Sequence, residues 1–136
     1  MVHKGEKIRN NEGKLYEELK VMYTNIDGLL ARKLELIDYI REKKPKVICL
    51  TETKLSPDIR IILTEKYNIW RKDRKQKGGG GVMILTDTSI DVKNVEYGKN
   101  DTELVSIQVR ENNAKIQTII TTYVPPKSYS WKKRRI

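Results

Sequence analysis

Three polar residues stand at the ends of apolar segments, and their types could do chemistry together. Asn25 follows LKVMYT, Glu52 follows VICLT and Tyr123 closes KIQTIITTY. In open α/β sheets, ligands bind beyond the carboxyl ends of the strands. A carboxylate beside a buried strand needs a partner or a metal. Glu52 with Asn25 alongside makes a hard oxygen pair of the kind that suits Mg²⁺, which takes one or two carboxylates and completes its shell with waters and substrate phosphate. The same residues also have a plainer use, with Glu52 capping a turn and Asn25 supplying an Asx turn. On spacing alone both readings stand.

The elements that must position these residues are legible in the hydrophobic pattern. LKVMYT (Leu19–Thr24) reads as a strand closed by the turn cluster Asn25-Ile26-Asp27-Gly28. LLARKLELIDYIREKK follows, with Leu30, Leu34, Ile37 and Ile40 at helical spacing, and Lys43, Lys44 and Pro45 supply a basic last turn and a stop. VICLT (Val47–Thr51) is a continuous apolar run, the mark of a strand covered on both faces. Strand, helix, strand is a βαβ unit.

Residues 52–65 read as a loop with one or two helical turns. Tyr67–Asp73 and Gly81–Asp87 read as strands around a RKQKGGGG turn. Ile90–Tyr97 and Glu103–Arg110 alternate as half-exposed antiparallel strands do, and Asn112-Asn113 turns the chain into Lys115–Val124. The tetraglycine Gly78–Gly81 does not fit a phosphate loop, because such loops run from a strand into a helix and this one runs into a strand. Bare backbone there lets another chain or a nucleic-acid backbone come close. The order predicts an α/β fold with a mixed sheet, preceded by a polar, loosely held leader over residues 1–18.

Composition narrows the function classes. The 136 residues carry 28 Lys+Arg against 18 Asp+Glu, a net charge of +10 that makes a polyanion the natural partner. Six basic residues fall between Lys66 and Lys77, and the chain ends WKKRRI, so that Trp70 and Trp131 lie among cations as stacking aromatics do; a solvated charged surface with one Trp in the core explains the same pattern. With Cys49 alone, no internal disulfide or cysteine-rich zinc site is available. The only histidine, His3, sits in the polar leader, which leaves no candidate for a buried histidine base. Ile and Val number 25 against two Ala, favouring strands. No apolar run reaches the about 18 residues of a membrane span, and no secretory signal is present, so an intracellular location is expected, with KKRRI pointing to the nucleus.

Taken in order, LKVMYTNIDGLLARKLELIDYI, KPKVICLTETKLSPDI, WRKDRKQKGGGGVMIL, ELVSIQV and TTYVPPKSYSW resemble the N-terminal half of an endonuclease/exonuclease/phosphatase domain. The flavour is that of the endonucleases of non-LTR (LINE-type) retrotransposons. The resemblance runs from Leu19 to Trp131 and implies half of a four-layer α/β sandwich related to DNase I, a mixed sheet with flanking helices, over residues 19–136. It implies Mg²⁺- or Mn²⁺-assisted cleavage of DNA phosphodiesters. By motif, Asn25 resembles the asparagine near the metal and scissile phosphate, Glu52 the metal-ligating carboxylate and Tyr123 the tyrosine that touches the phosphate. Arg74 resembles a basic residue flanking the cleft, with Lys72, Lys75 and Lys77 beside it as nucleic-acid contacts.

The family's second half carries a G-D-x-N motif and an S-D-H motif whose Asp–His pair is the base. Beyond Tyr123 this sequence has no Asp, Asn or His. An attacking water needs a base or a metal to activate it, so the polypeptide is expected to be inactive alone and its second sheet to be largely missing. The alternatives are a non-catalytic, basic nucleic-acid-binding fragment, a relative from the phosphatase branch, or a chain with no folded function. The sequence sets no oligomeric state.

Overall fold

The computed structural model describes residues 7–9, 15–17, 19–75, 79–112 and 114–124. Within the polar leader, β1 (Lys7–Arg9) pairs antiparallel with β2 (Leu15–Glu17). The remaining elements are β3 (Val21–Asn25), α1 (Leu29–Lys43), β4 (Val47–Thr51), β5 (Tyr67–Lys72), β6 (Val82–Asp87), β7 (Asp91–Tyr97), β8 (Glu103–Arg110) and β9 (Gln117–Tyr123). They form a four-stranded mixed sheet in the order β3-β4-β6-β5 and a three-stranded antiparallel sheet in the order β7-β8-β9.

The alternation along β4 and β6 explains how these layers stack. Successive side chains of a strand point to opposite faces. Ile48, Leu50, Met83 and Leu85 face one way and pack with Leu29, Leu36 and Ile40 of α1 and with Leu55, Leu63 and Tyr67. Val47, Cys49, Val82 and Ile84 face the other way and meet Val105, Ile107 and Val109 of β8. Both faces of β4 are therefore covered, which is why VICLT is apolar at nearly every position. Helix, mixed sheet and second sheet make part of the expected α/β sandwich, with α1 the only α-helix among the described residues.

Four expectations need correction. The second sheet is not largely missing: β7, β8 and β9 supply three of its strands and cover the mixed sheet. The apolar stripe of α1 is rotated from the expected one. Leu30 and Leu34 are 54% and 77% exposed, and the core side is Leu29, Leu36 and Ile40. Helical spacing alone allows either stripe, and contact with the sheet selects Leu29, Leu36 and Ile40. Residues 52–65 contain turns but no helix, since Leu55 and Leu63 are drawn into the core individually. Trp70 donates its indole N–H to Thr86 Oγ1 at 3.3 Å and packs against the inter-sheet core, so it is structural rather than a free stacking platform. Trp131 and Lys77 lie outside the described residues.

The ends of α1 set up the site at one end and close the crossover at the other. Arg41 and Lys43 complement the negative end of the helix dipole. Lys44 then adopts the left-handed conformation and its N–H reaches Ile40 O at 2.8 Å. Pro45 prevents continuation. The crossover returns the chain as β4, parallel to β3, with Asn25 opposite Thr51. Among the described residues no helix is long and apolar enough to cross a membrane.

Candidate functional site

The parallel register places Asn25 and the residue after Thr51 at the same end of the mixed sheet. Pairing continues past the strand ends, because Ile26 N donates to Thr51 O at 3.0 Å, Gly28 N to Glu52 O at 2.8 Å and Leu29 N to Thr53 O at 3.0 Å. On the other side, Thr53 N and Lys54 N donate to Gly81 O and Gly80 O at 3.3 and 2.8 Å. Glu52 is thus held between two loops with a left-handed backbone, φ 53°. That conformation costs about 1–2 kcal/mol for a residue with a Cβ, and the flanking hydrogen bonds offset it.

Tyr123 arrives from the second sheet. Its hydroxyl donates to Glu52 Oε1 at 2.6 Å across 71 residues of sequence. Asn25 accepts Asp27 N on Oδ1 at 3.1 Å and hydrogen-bonds Glu52 through its side chain. Asn25, Glu52 and Tyr123 are therefore brought together. The bond from Tyr123, then that from Asn25, holds the Glu52 carboxyl below its ordinary range, so it is ionised at neutral pH. The same bond to Glu52 pushes the Tyr123 phenol up.

Two further groups complete the rim. Lys54 Nζ pairs with Asp27 Oδ1 at 2.5 Å; this bond depresses the Asp27 carboxyl and raises the Lys54 ammonium. Glu103 lies directly opposite Tyr123 in the β8–β9 register and is 6% exposed. One of its oxygens accepts the Gly81 N–H, and the other accepts Arg74 Nε and Nη2 at 3.1 and 2.8 Å. The Arg74 guanidinium in turn lies 6.0 Å from the centre of the Tyr123 ring.

Asp27, Lys54 and Glu103 were not singled out in the sequence, although a signal for Glu103 exists. It falls in phase with Val105, Ile107 and Val109 on the buried side of β8, and a carboxylate at an inward position demands a partner. The tetraglycine also has an internal use: a Cβ on Gly80 would stand 2.3 Å from both Arg74 Nε and Glu103 Oε1, so the bare backbone admits this ion pair. Lys72 is tethered to the carbonyls of Gly98 and Asn100, whereas Lys75 is exposed.

Among the described residues, no three His, Cys, Asp or Glu side chains converge as a metal cage. One ionised carboxylate with amide and phenol oxygens beside it suits a hard cation that keeps several waters, Mg²⁺ or Mn²⁺, and lacks the nitrogen and sulfur donors of a zinc site. Glu52 is the residue that would hold it, with the Asn25 amide oxygen able to join through its second lone pair.

A two-sheet α/β sandwich with an oxygen-rich cluster at the carboxyl ends of its strands defines the class of protein. The chain belongs to the Endonuclease/Exonuclease/phosphatase family, whose model matches residues 22–129. It is 28% identical over 133 residues to the DNA repair nuclease APEX1 of Danio rerio, a match covering 88% of this chain and 40% of that protein. It is 27% identical over 109 residues to an exodeoxyribonuclease of Bacillus subtilis (strain 168), covering 76% of this chain and 42% of the relative. Among solved structures, an AP endonuclease from Archaeoglobus fulgidus superposes with a TM-score of 0.62 at 21% identity, over 86% of this chain and 48% of that one. The AP endonuclease LMAP from Leishmania major gives a TM-score of 0.66 at 16% identity, over 85% and 44%. The chain spans less than half the length of each of these four proteins.

Proposed function

We propose that this chain is the Asn–Glu–Tyr half of a divalent-metal-dependent phosphodiesterase acting on DNA, and that by itself it binds DNA without cutting it. The observation that carries the reading is the 2.6 Å bond between Tyr123 and Glu52, which unites a phosphate-contacting type of residue with an ionised metal-ligand type at one sheet end. Family membership and the net charge of +10 support it. Glu52 offers the carboxylate, Asn25 orients it, and the Tyr123 hydroxyl, keeping its proton, can turn its hydrogen bond from Glu52 to a phosphate oxygen. When bound, Mg²⁺ or Mn²⁺ supplies positive charge against a phosphate oxygen and lowers the pKa of a coordinated water. The Asp, Asn and His of the family's second-half motifs have no counterpart after Tyr123 in this sequence, and the reading of binding without cutting rests on that.

The finer reading is a retrotransposon-type endonuclease, resting on the GGGGV block and YVPPKSYSW, with an intracellular, nuclear location to match. The DNA-repair name of one relative favours a second reading, a repair-type nuclease.

The test incubates the 136-residue chain with supercoiled plasmid in Mg²⁺ or EDTA, beside Glu52→Ala, and measures binding to intact and abasic duplexes at several salt concentrations. Expected are no nicking and an affinity that falls steeply with salt. Equal affinity for both duplexes supports the retrotransposon branch, and preference for the abasic one supports the repair branch. Nicking that requires Mg²⁺ and Glu52 refutes the inactive-alone part. Salt-insensitive binding, or none, defeats the DNA reading.

A further inference from the structure

The Glu103 carboxylate is buried at the rim of the site, yet it has no role in the chemistry so far assigned. Its two oxygens divide their work. One accepts the Gly81 N–H at the mouth of β6, next to the carbonyls that receive Thr53 and Lys54. The other accepts two N–H groups of Arg74. Because Glu103 and Tyr123 are cross-strand neighbours, a guanidinium bound to Glu103 is delivered to the Tyr123 ring. Arg74 carries five N–H donors and spends two of them here. Among the described residues its Nη1 amine makes no hydrogen bond, and the side chain keeps 23% of its surface open.

We propose that Glu103 is a positioning residue for substrate phosphate. It fixes the Arg74 guanidinium beside Tyr123 with the Nη1 edge unpaired among the described residues, so that a backbone phosphate held at Tyr123 meets a cation already in place. This rests on the DNA reading above. A preset guanidinium loses little rotamer freedom when it binds, which is the usual gain of preorganisation. The negative charge of Glu103 is the cost of the arrangement in a protein that must attract a polyanion.

That cost gives the test its sign. Glu103→Gln keeps an acceptor for Gly81 but removes the charge that holds Arg74. If Glu103 were only a background charge, its neutralisation would tighten DNA binding. Positioning predicts the reverse. Binding of a fluorescein-labelled duplex to the 136-residue chain, read by anisotropy across a salt series in EDTA, is expected to weaken about threefold or more in Glu103→Gln. The salt slope should become shallower by about 0.9, the share of one phosphate contact. In an Arg74→Gln background the same Glu103→Gln change should no longer weaken binding. Arg74→Lys, which keeps the charge, should lose most of what Arg74→Gln loses, with a circular-dichroism melt of each variant confirming that it is folded.

A protected Arg74 Nε–H resonance with a contact to the Tyr123 ring should be seen by NMR in the wild type and vanish in Glu103→Gln. Equal or tighter binding by Glu103→Gln, or wild-type binding by Arg74→Lys, overturns the proposal and leaves the DNA reading intact. A wild-type chain that binds no DNA defeats both, whatever the variants do.

Discussion

Replacing Gly80 with alanine is the sharpest probe of how this site is held. Its φ of +76° lies where a side chain is strained, and the new Cβ would sit 2.3 Å from Glu103 Oε1 and from Arg74 Nε. The strain costs about 1–2 kcal/mol. Pushing the Glu103 carboxylate off Arg74 and Gly81 leaves buried polar groups unmade, at about 1–3 kcal/mol. The sum is about 2–5 kcal/mol, which for a domain of this size lowers Tm by roughly 8–20 °C. Gly79→Ala is the matched control, because it also has positive φ, +100°, but its Cβ would meet only the flexible Lys54 side chain, at an ordinary 3.5 and 3.8 Å. It should therefore show the strain without the collision. Circular-dichroism melts of the two variants and the wild type separate the contributions. If Gly80→Ala melts within about 2 °C of Gly79→Ala, when a 1 kcal/mol difference should move Tm by about 4 °C, the ion pair is not constrained by that backbone and the reasoning fails.

Three further outcomes follow from the same contacts. Tyr123→Phe deletes the hydroxyl that depresses the Glu52 carboxyl. The Glu52 pKa should rise toward its ordinary value in a ¹³C NMR titration, and an unmoved midpoint would contradict the assignment. Since a depressed carboxyl contributes stability above its unfolded pKa and loses it as pH falls through the folded one, this variant should also be less sensitive to acid. Tyr67, whose hydroxyl donates to Pro45 O at 2.5 Å, is pushed up to about 12, chiefly by burial with the Asp87 charge adding to it. Its contribution to stability is whole below the ordinary tyrosine pKa of about 10 and is lost as pH rises through about 12. Tyrosinate absorbance should show a tyrosine titrating near 12 that is absent in Tyr67→Phe. Leu85→Ala removes a fully buried side chain between the mixed sheet and α1 and should cost about 2–5 kcal/mol in urea denaturation.

Much of the fold was legible because its strands obey simple periods. VICLT announced a doubly covered strand, and Glu103–Arg110 announced a one-sided one. The helix was legible in extent but not in rotation, since Leu30 and Leu34 satisfy the helical spacing as well as the residues that are buried. Only the sheet beneath α1 decides between the stripes. The three residues picked out at strand ends do come together, because parallel register and strand polarity bring the same ends to the same place. The ion pairs around them were not legible. Asp27 meets Lys54, and Arg74 meets Glu103, across 27 and 29 residues respectively, and no period in the sequence encodes a partner at such a distance. The tetraglycine was legible as a turn, while its use as room for a buried carboxylate depends on a strand that follows later in the chain.

The span of the contacts at the site also has a bearing on the order in which the molecule forms. Asn25 and Glu52 are joined through one strand–helix–strand unit, whereas the Tyr123 bond closes a loop of 71 residues. Loop closure is entropically costly and long-range pairing is slow. Glu52 and Asn25 should be structured in the rate-limiting transition state, and the tyrosine should dock afterwards. Mutations in β4 would then slow folding and those in β9 would mainly quicken unfolding, a division that stopped-flow measurements on Leu50→Ala and Ile119→Val can check. A late-docking tyrosine makes the Tyr123 side of the site the first to be lost when the native state opens locally, ahead of the Asn25–Glu52 side.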